Sequence, residues 1–140
     1  MTTVFLYGTL RDPDVQEIVI GKSFPERKAL LKGFKAVFVL GEVFPKYLED
    51  ERFDLLGTLV DVDDEQLKKI DIFEGVAGGD FVKEEVTVEC DDQQVKALTY
   101  DGAKLEKTSR KWTLEEWEKL YKKSYLERVE KFVSEDGGDW

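Results

Sequence analysis

The chain has no histidine in its 140 residues, and that absence removes more chemistry than any other feature of its composition. Without imidazole there is no Ser-His-Asp or Cys-His relay, and none of the usual zinc sites that rely on histidine. One cysteine, Cys90, rules out an internal disulfide and any CxxC metal or redox motif, and a reducing compartment is its natural setting. Glu89 and Asp91 flank that thiol, and negative charge raises a thiol pKa, so Cys90 is expected to be inert. No apolar run approaches the roughly 18 residues of a membrane span, and MTTVFLYGTLRD does not read as a signal peptide, so the expected setting is cytoplasmic. Basic charge is scarce: 21 Lys and Arg stand against 31 Asp and Glu, a net charge of −10. Such a surface repels phosphate backbones, so no nucleic-acid partner is expected, although Lys22, Arg27, Lys28, Lys32 and Lys35 gather in one stretch. Any acid–base chemistry falls to Asp, Glu, Lys, Tyr or Cys90.

What is present suffices for one core. Apolar residues make up 41%, an ordinary globular share. The length suits one domain, over residues 1–135, with 136–140 read as a frayed acidic tail. Charged residues reach 37%. That fits either the surface ion-pair networks of a heat-adapted protein or simply a very soluble acidic one.

Apolar, β-branched Thr2 to Leu6 predicts a strand running into a tight turn at Tyr7-Gly8. Asp12-Pro13-Asp14 signals a helix start, with Val15, Ile18 and Val19 on one face and Gly21 at the end. Residues 34–44 predict a strand interrupted at Gly41, Pro45 with Glu49 to Arg52 a loop, and 53–62 another strand. Asp63 or Asp64 caps a short helix, Asp63 and Gln66 approximating a capping box; Leu67, Ile70 and Phe73 recur at helical spacing up to Gly75. A glycine-rich loop (75–79) precedes a hairpin of 81–90 and 94–100. From a Thr113/Glu116 capping box one long helix follows, burying Trp117, Tyr121, Tyr125 and Val129 with Leu114, Leu120, Phe132 and Val133. At that spacing Trp117, Tyr121 and Tyr125 read as core anchors. Strands in adjacent pairs, without strict βαβ alternation, predict an α+β fold with a mainly antiparallel or mixed sheet, open or closed into a small barrel.

Two segments can carry chemistry. In Tyr7-Gly8-Thr9-Leu10-Arg11 a strand delivers the chain to a glycine, whose lack of a Cβ lets backbone N–H groups approach a ligand as an anion cradle or oxyanion hole. Spacing alone more often describes an ordinary strand-ending turn. Glu74, among Ile72, Phe73 and Val76 at the end of a helix, is the candidate base, because apolar surroundings raise a carboxyl's pKa toward neutrality. A solvated acid at a helix end is the plainer alternative. Asp71, three positions earlier, reads as a structural acid.

Val4-Phe5-Leu6-Tyr7-Gly8-Thr9-Leu10 and Phe73-Glu74-Gly75, in this order and separation, resemble the two signature regions of the γ-glutamylcyclotransferase-like family, which includes AIG2-like proteins and γ-glutamylamine cyclotransferase. Gly57-Thr58-Leu59, Ala97-x-x-Tyr100 and the Trp112/Trp117 pair extend the likeness over most of residues 3–125. The resemblance implies a small mixed or antiparallel β-barrel with short helices and a C-terminal helix. It implies that Tyr7, Gly8, Thr9 and Leu10, with Arg11 and Asp12, hold a γ-glutamyl substrate and that Glu74 accepts the proton. The implied reaction is attack of the α-amine on the γ-carbonyl, releasing 5-oxoproline and an amine with no cofactor or metal. The alternatives are a non-catalytic small-molecule or protein-binding module on the same fold, or acyl transfer to, or hydrolysis of, another amide. The leaving amine and the oligomeric state stay open. One departure stands out: where the family often has Tyr-x-Arg after the Glu-Gly pair, this chain has Phe81 and Lys83, which is expected to change the grip on substrate.

Overall fold

The computed structural model describes residues 1–135, and the tail read at 136–140 lies outside them. The apolar opening forms β1 (Thr2–Leu6). Phe5 and Tyr7, two positions apart, face the same way. Their rings continue into Tyr47 and Phe34 as a stacked series, with centroid separations of 6.4, 5.2 and 5.2 Å. After a 3-10 turn at Thr9–Arg11, Asp12 caps α1 (Pro13–Ile20), its Oδ1 accepting the N–H groups of Asp14 and Val15 at 2.9 and 3.2 Å. Pro13 takes the first helical position and Gly21 closes the helix, as expected.

The next stretch corrects the sequence reading. β2 spans Lys28–Val39 and β3 spans Pro45–Val62, joined by a turn at 40–44. Gly41 lies in that turn; the irregularity in β2 falls between Lys32 and Phe34, opposite Asp54 and Glu49. The expected loop at 45–52 is strand, because Pro45 needs no N–H at a strand's first position and the charges project from an exposed part of a long hairpin. Asp50 anchors this irregular stretch, pairing with Lys35 at 3.1 Å and Arg52 at 2.7 Å.

α2 (Asp64–Phe73) begins with the full capping box of Asp63 and Gln66, each side chain bonded to the other's backbone N–H. β4 (Val82–Cys90) and β5 (Gln93–Asp101) form the expected hairpin. Its two-residue turn, Asp91-Asp92, has positive φ at both positions, which short acidic side chains tolerate. β6 (Lys107–Lys111) was not foreseen; its sequence, KTSRK, is polar and its surface mostly exposed, so it carries no apolar alternation. The single C-terminal helix is in fact two, α3 (Leu114–Leu120) and α4 (Lys122–Glu135), broken at Tyr121. The break re-aims α4: Trp117 and Tyr125 both turn inward and meet edge to face at 5.5 Å, while Leu120, expected inside, is 58% exposed. Thr113 caps α3, but Glu116 does not complete the box, because its carboxylate takes Arg110 at 2.8 Å instead.

β1 pairs antiparallel with β3, β3 with β2, β2 with β4 and β4 with β5; β5 then meets β1 in parallel, with Val4 opposite Leu98. The result is a closed five-stranded mixed barrel with four helices, β6 being added outside β2. The barrel expectation therefore holds. Val4, Val62, Ile70, Val15 and Trp117 have no exposed surface and join barrel to helices. α1 packs against both α2 and α4. Among the described residues no helix is long and apolar enough to cross a membrane.

Candidate active site

Because β1 and β5 run parallel, their C-terminal ends meet at one rim of the barrel. Two side-chain bonds tie that rim: the Tyr7 hydroxyl donates to the Tyr100 carbonyl at 2.7 Å, and the Thr99 hydroxyl to the Phe5 carbonyl at 2.9 Å. Above it opens a cavity of about 420 Å³. Tyr7, Gly8, Thr9 and Leu10 line it, and so does Glu74. The exposure of its walls gives it a floor and a mouth. Tyr7, Thr9, Leu10 and Tyr100 are buried, whereas Leu40, Asp80, Glu106 and Arg128 are exposed.

The loop is built for close approach. Gly8 faces Pro45, and a Cβ there would stand 3.2 Å from the proline ring. Its φ of −107 is not left-handed, so a side chain here would meet crowding against Pro45 and no backbone strain. The 3-10 turn spends the carbonyls of Gly8 and Thr9 on the N–H groups of Arg11 and Asp12. Among the described residues, no protein acceptor takes the N–H groups of Gly8, Thr9 or Leu10, as expected of the first residues of a helical turn. Buried Gln16 pins the loop from behind, donating to the Leu10 carbonyl at 2.8 Å and accepting the Phe24 N–H at 2.8 Å.

Arg11 and Asp12 are not brought to this cavity. Arg11 lies on a separate recess of about 150 Å³ beside Trp112 and Glu115. Asp12 is wholly buried as the α1 cap, with its other oxygen 2.9 Å from Lys122. The 3-10 turn accounts for this, since it carries the chain away from the cavity directly after Leu10.

Glu74 ends α2. Gly75 follows at φ +66, and a Cβ on it would stand 2.6 Å from the Asp80 carboxylate, so the Glu-Gly pair depends on glycine. The glycine-rich segment after it is a run of hydrogen-bonded turns, in which the Gly75 carbonyl accepts the N–H groups of Gly78 and Asp80. Glu74 keeps a partly open face toward the cavity, yet its carboxyl is packed about by protein. Burial first, and the charge of Asp71 second, push it up to about 8. No hydrogen bond to this carboxyl exists among the described residues, so it is free for a ligand.

Asp71 is held on both oxygens: Tyr100 donates to Oδ1 at 2.6 Å and Lys83 to Oδ2 at 2.8 Å. Its reading as a structural acid fits that grip. It also corrects the expectation for Lys83, which clamps Asp71 and does not line the cavity, while Phe81 does line it. Sequence reasoning missed the part played by α4. Tyr125, whose phenol burial pushes up to about 12, lies 3.4 Å from the Thr9 hydroxyl, and Arg128, Val129 and Phe132 complete the wall. Helical spacing identified Tyr125 and Val129 as inward-facing, but a cavity wall and a core look the same in that pattern. The described residues hold no cluster of carboxylates and thiol suited to a metal ion.

A glycine loop and a carboxyl, neither loop N–H nor carboxylate paired among the described residues, share one cavity on the rim of a five-stranded mixed barrel. The model of the family "Gamma-glutamyl cyclotransferase, AIG2-like" matches residues 4–119, and the chain belongs to that family. It is 26% identical to AIG2-like protein A of Arabidopsis thaliana over 135 residues, covering 93% of this chain and 80% of that one. With AIG2-like protein D of the same plant the identity is 27%, over 96% and 91% of the two chains. A solution structure of an Arabidopsis thaliana protein superposes with a TM-score of 0.66 at 25% identity, over 95% of this chain and 91% of that one. A gamma-glutamyl cyclotransferase structure gives 0.68 at 18% identity, covering 76% of this chain and 69% of that one, and so speaks for the fold alone.

Proposed function

We propose that this chain is a γ-glutamyl cyclotransferase acting on a γ-glutamyl amine or dipeptide. The observation that carries the reading is the single cavity joining the Gly8 loop to Glu74, whose carboxyl is pushed up to about 8 and bonded to no protein group among the described residues. The γ-glutamyl group lies on the floor, its carbonyl oxygen toward the N–H groups of Gly8 to Leu10. Glu74 in its anionic form takes a proton from the substrate's α-ammonium. The freed amine nitrogen attacks the γ-carbonyl carbon, making the new C–N bond of a five-membered lactam. As the tetrahedral intermediate collapses, Glu74 gives that proton to the leaving nitrogen and the bond to it breaks; the same carboxylate then carries the ring nitrogen's second surplus proton to the departing amine, which leaves as an ammonium. Substrate atoms are conserved: 5-oxoproline and a free amine leave, and no water is consumed. Ring closure within one molecule gains from proximity, so orientation and proton transfer are the main demands on the protein. The N–H groups stabilise the oxyanion, commonly the largest share of acyl-transfer catalysis.

The test is a panel of γ-glutamyl amides and dipeptides scored for 5-oxoproline. Release from at least one, dependent on Glu74, is expected. Binding without release across the panel would leave the non-catalytic module on the same fold.

A further inference from the structure

Tyr7 lines two hollows: the cavity that holds Glu74 and the separate recess of about 150 Å³ on which Arg11 lies. We infer that Arg11 anchors a second binding site in that recess, which takes a small monocarboxylate with an apolar or aromatic body. The inference does not depend on the cyclotransferase reading, because it concerns a different hollow and is read by binding alone.

The arginines of this acidic chain are otherwise spoken for. Arg27, Arg52, Arg110 and Arg128 each reach a carboxylate. Arg11 is half-buried, yet its side chain has no hydrogen bond or ion pair among the described residues. Burial is the largest influence on it and lowers its pKa, while Glu115, Glu26 and Glu118 act on it only from beyond ion-pair distance. A guanidinium keeps its charge inside a protein, and its planar fork matches a carboxylate. Drawing it partly out of water with no partner is costly, and a carboxylate offsets that cost. The recess supplies the rest of such a site. Tyr7, Ala36, Leu55 and Trp112 are buried on it, and Phe53 is half-buried. An apolar space of about this size accepts a body as large as benzene. Lys111 lines it as a second cation without a carboxylate partner among the described residues, its ammonium 4.8 Å from the centre of the Phe53 ring. Lys35 adds no free charge, because Asp50 takes it at 3.1 Å. Exposed Asp54 and Glu115 also border the recess, and they disfavour a second negative charge on the ligand. One carboxylate on an apolar body therefore suits the recess better than a phosphate or a dicarboxylate.

The experiment is an NMR titration of the isotope-labelled chain, at low ionic strength, with benzoate, benzamide and inorganic phosphate. Benzoate should move the Trp112 indole N–H and the Arg11 amide along a saturable curve and leave the Phe73 and Glu74 amides nearly still. Benzamide, of the same shape without the charge, and phosphate should each bind about tenfold or more weakly. Arg11→Met should weaken benzoate about tenfold. Arg11→Lys, which keeps the charge and loses the fork, should fall between, and it covers the case in which the methionine variant does not fold. Arg128→Gln changes the cation that lines the main cavity and should leave benzoate binding as it was. No saturable shift with benzoate would overturn the inference. So would equal binding of benzamide, tighter binding of phosphate, or indifference of benzoate to both Arg11 variants. Shifts centred on Phe73 and Glu74 and lost in Arg128→Gln would place the carboxylate in the main cavity and overturn it as well.

Discussion

A carboxyl with no hydrogen-bond partner among the described residues, buried beside Phe73 and Phe81 and pressed by the charge of Asp71, holds its proton differently from one in water. Glu74 has an ordinary value of 4.5, raised to about 8 in the fold. The folded chain therefore binds this proton more tightly than the unfolded chain. The stability this lends is full below the ordinary value and is lost as pH rises through about 8. Glu74→Gln stays neutral throughout, so its melting temperature should gain on the parent's as pH climbs from about 5 to about 9. Its turnover should fall about 10²–10⁴-fold with substrate binding largely kept, and the parent's rise in kcat/KM near pH 8 should vanish. Parental turnover in the variant would end the general-base role; joint loss of binding and turnover would make Glu74 a grip on the ammonium instead. For the loop, Gly8→Val should weaken ligand binding through its clash with Pro45, and Thr9→Ala should be milder; equal affinity of Gly8→Val and the parent, by calorimetry, would count against the cradle. At this scale Glu74 was legible because helix end, glycine and apolar neighbours adjoin in sequence. Arg11 and Asp12 were misplaced because adjacency to the loop says nothing of which way a 3-10 turn carries the chain. The partners of Asp71 lie 12 and 29 positions away and left no local trace.

Among the elements, α4 is both wall and brace. Lys122 at its start contacts Asp12 at 2.9 Å and Asp14 at 2.8 Å, tying the helix to the segment that follows the glycine loop. Burial alone would raise the Asp12 carboxyl; the Lys122 ammonium beside it and the Val15 N–H it accepts help to overcome that and leave it lowered. Stability from this group is present at neutrality and lost as pH falls through its folded value. Lys122→Met strands a wholly buried carboxylate and should cost about 2 kcal/mol, less than a fully buried pair because Lys122 is partly exposed. Asp14, on the exposed side, should cost under about 1 kcal/mol when changed to Asn. Urea unfolding at pH 7 measures both, and equal losses would show that the buried contact adds nothing. Helix starts were legible because their signals are local: Asp12-Pro13 and Thr113 open helices where expected, and of the two candidate caps Asp63 and Asp64 it is Asp63 that serves. The break at Tyr121 and strand β6 were not, the first because the pattern of buried residues runs on across it, the second because a polar edge strand has no pattern.

Taken whole, the molecule is one barrel whose core runs into its helices, so unfolding should be a single transition. Buried Trp117 reports on α3 by fluorescence, buried Trp112 on the join to β2 and its turn, and far-UV circular dichroism reports on all elements. Their urea curves should coincide; a tryptophan transition that precedes the rest would separate α3 and α4 from the barrel. Hydrophobic pattern and paired strands pointed to a small barrel, but the parallel closure of β5 on β1 could not be read from the chain, because it joins segments more than 90 positions apart. That closure has a consequence for motion. Val4 opposite Leu98 marks the barrel's one parallel join, and the side chains that fasten it, Tyr7 and Thr99, are themselves cavity residues. A ligand on the cavity floor is thus also a clasp across the seam. Its arrival should slow deuterium uptake along β1 and β5, far more than along the outer β6, and the rate at which the empty barrel breathes sets the pace at which its site loses shape.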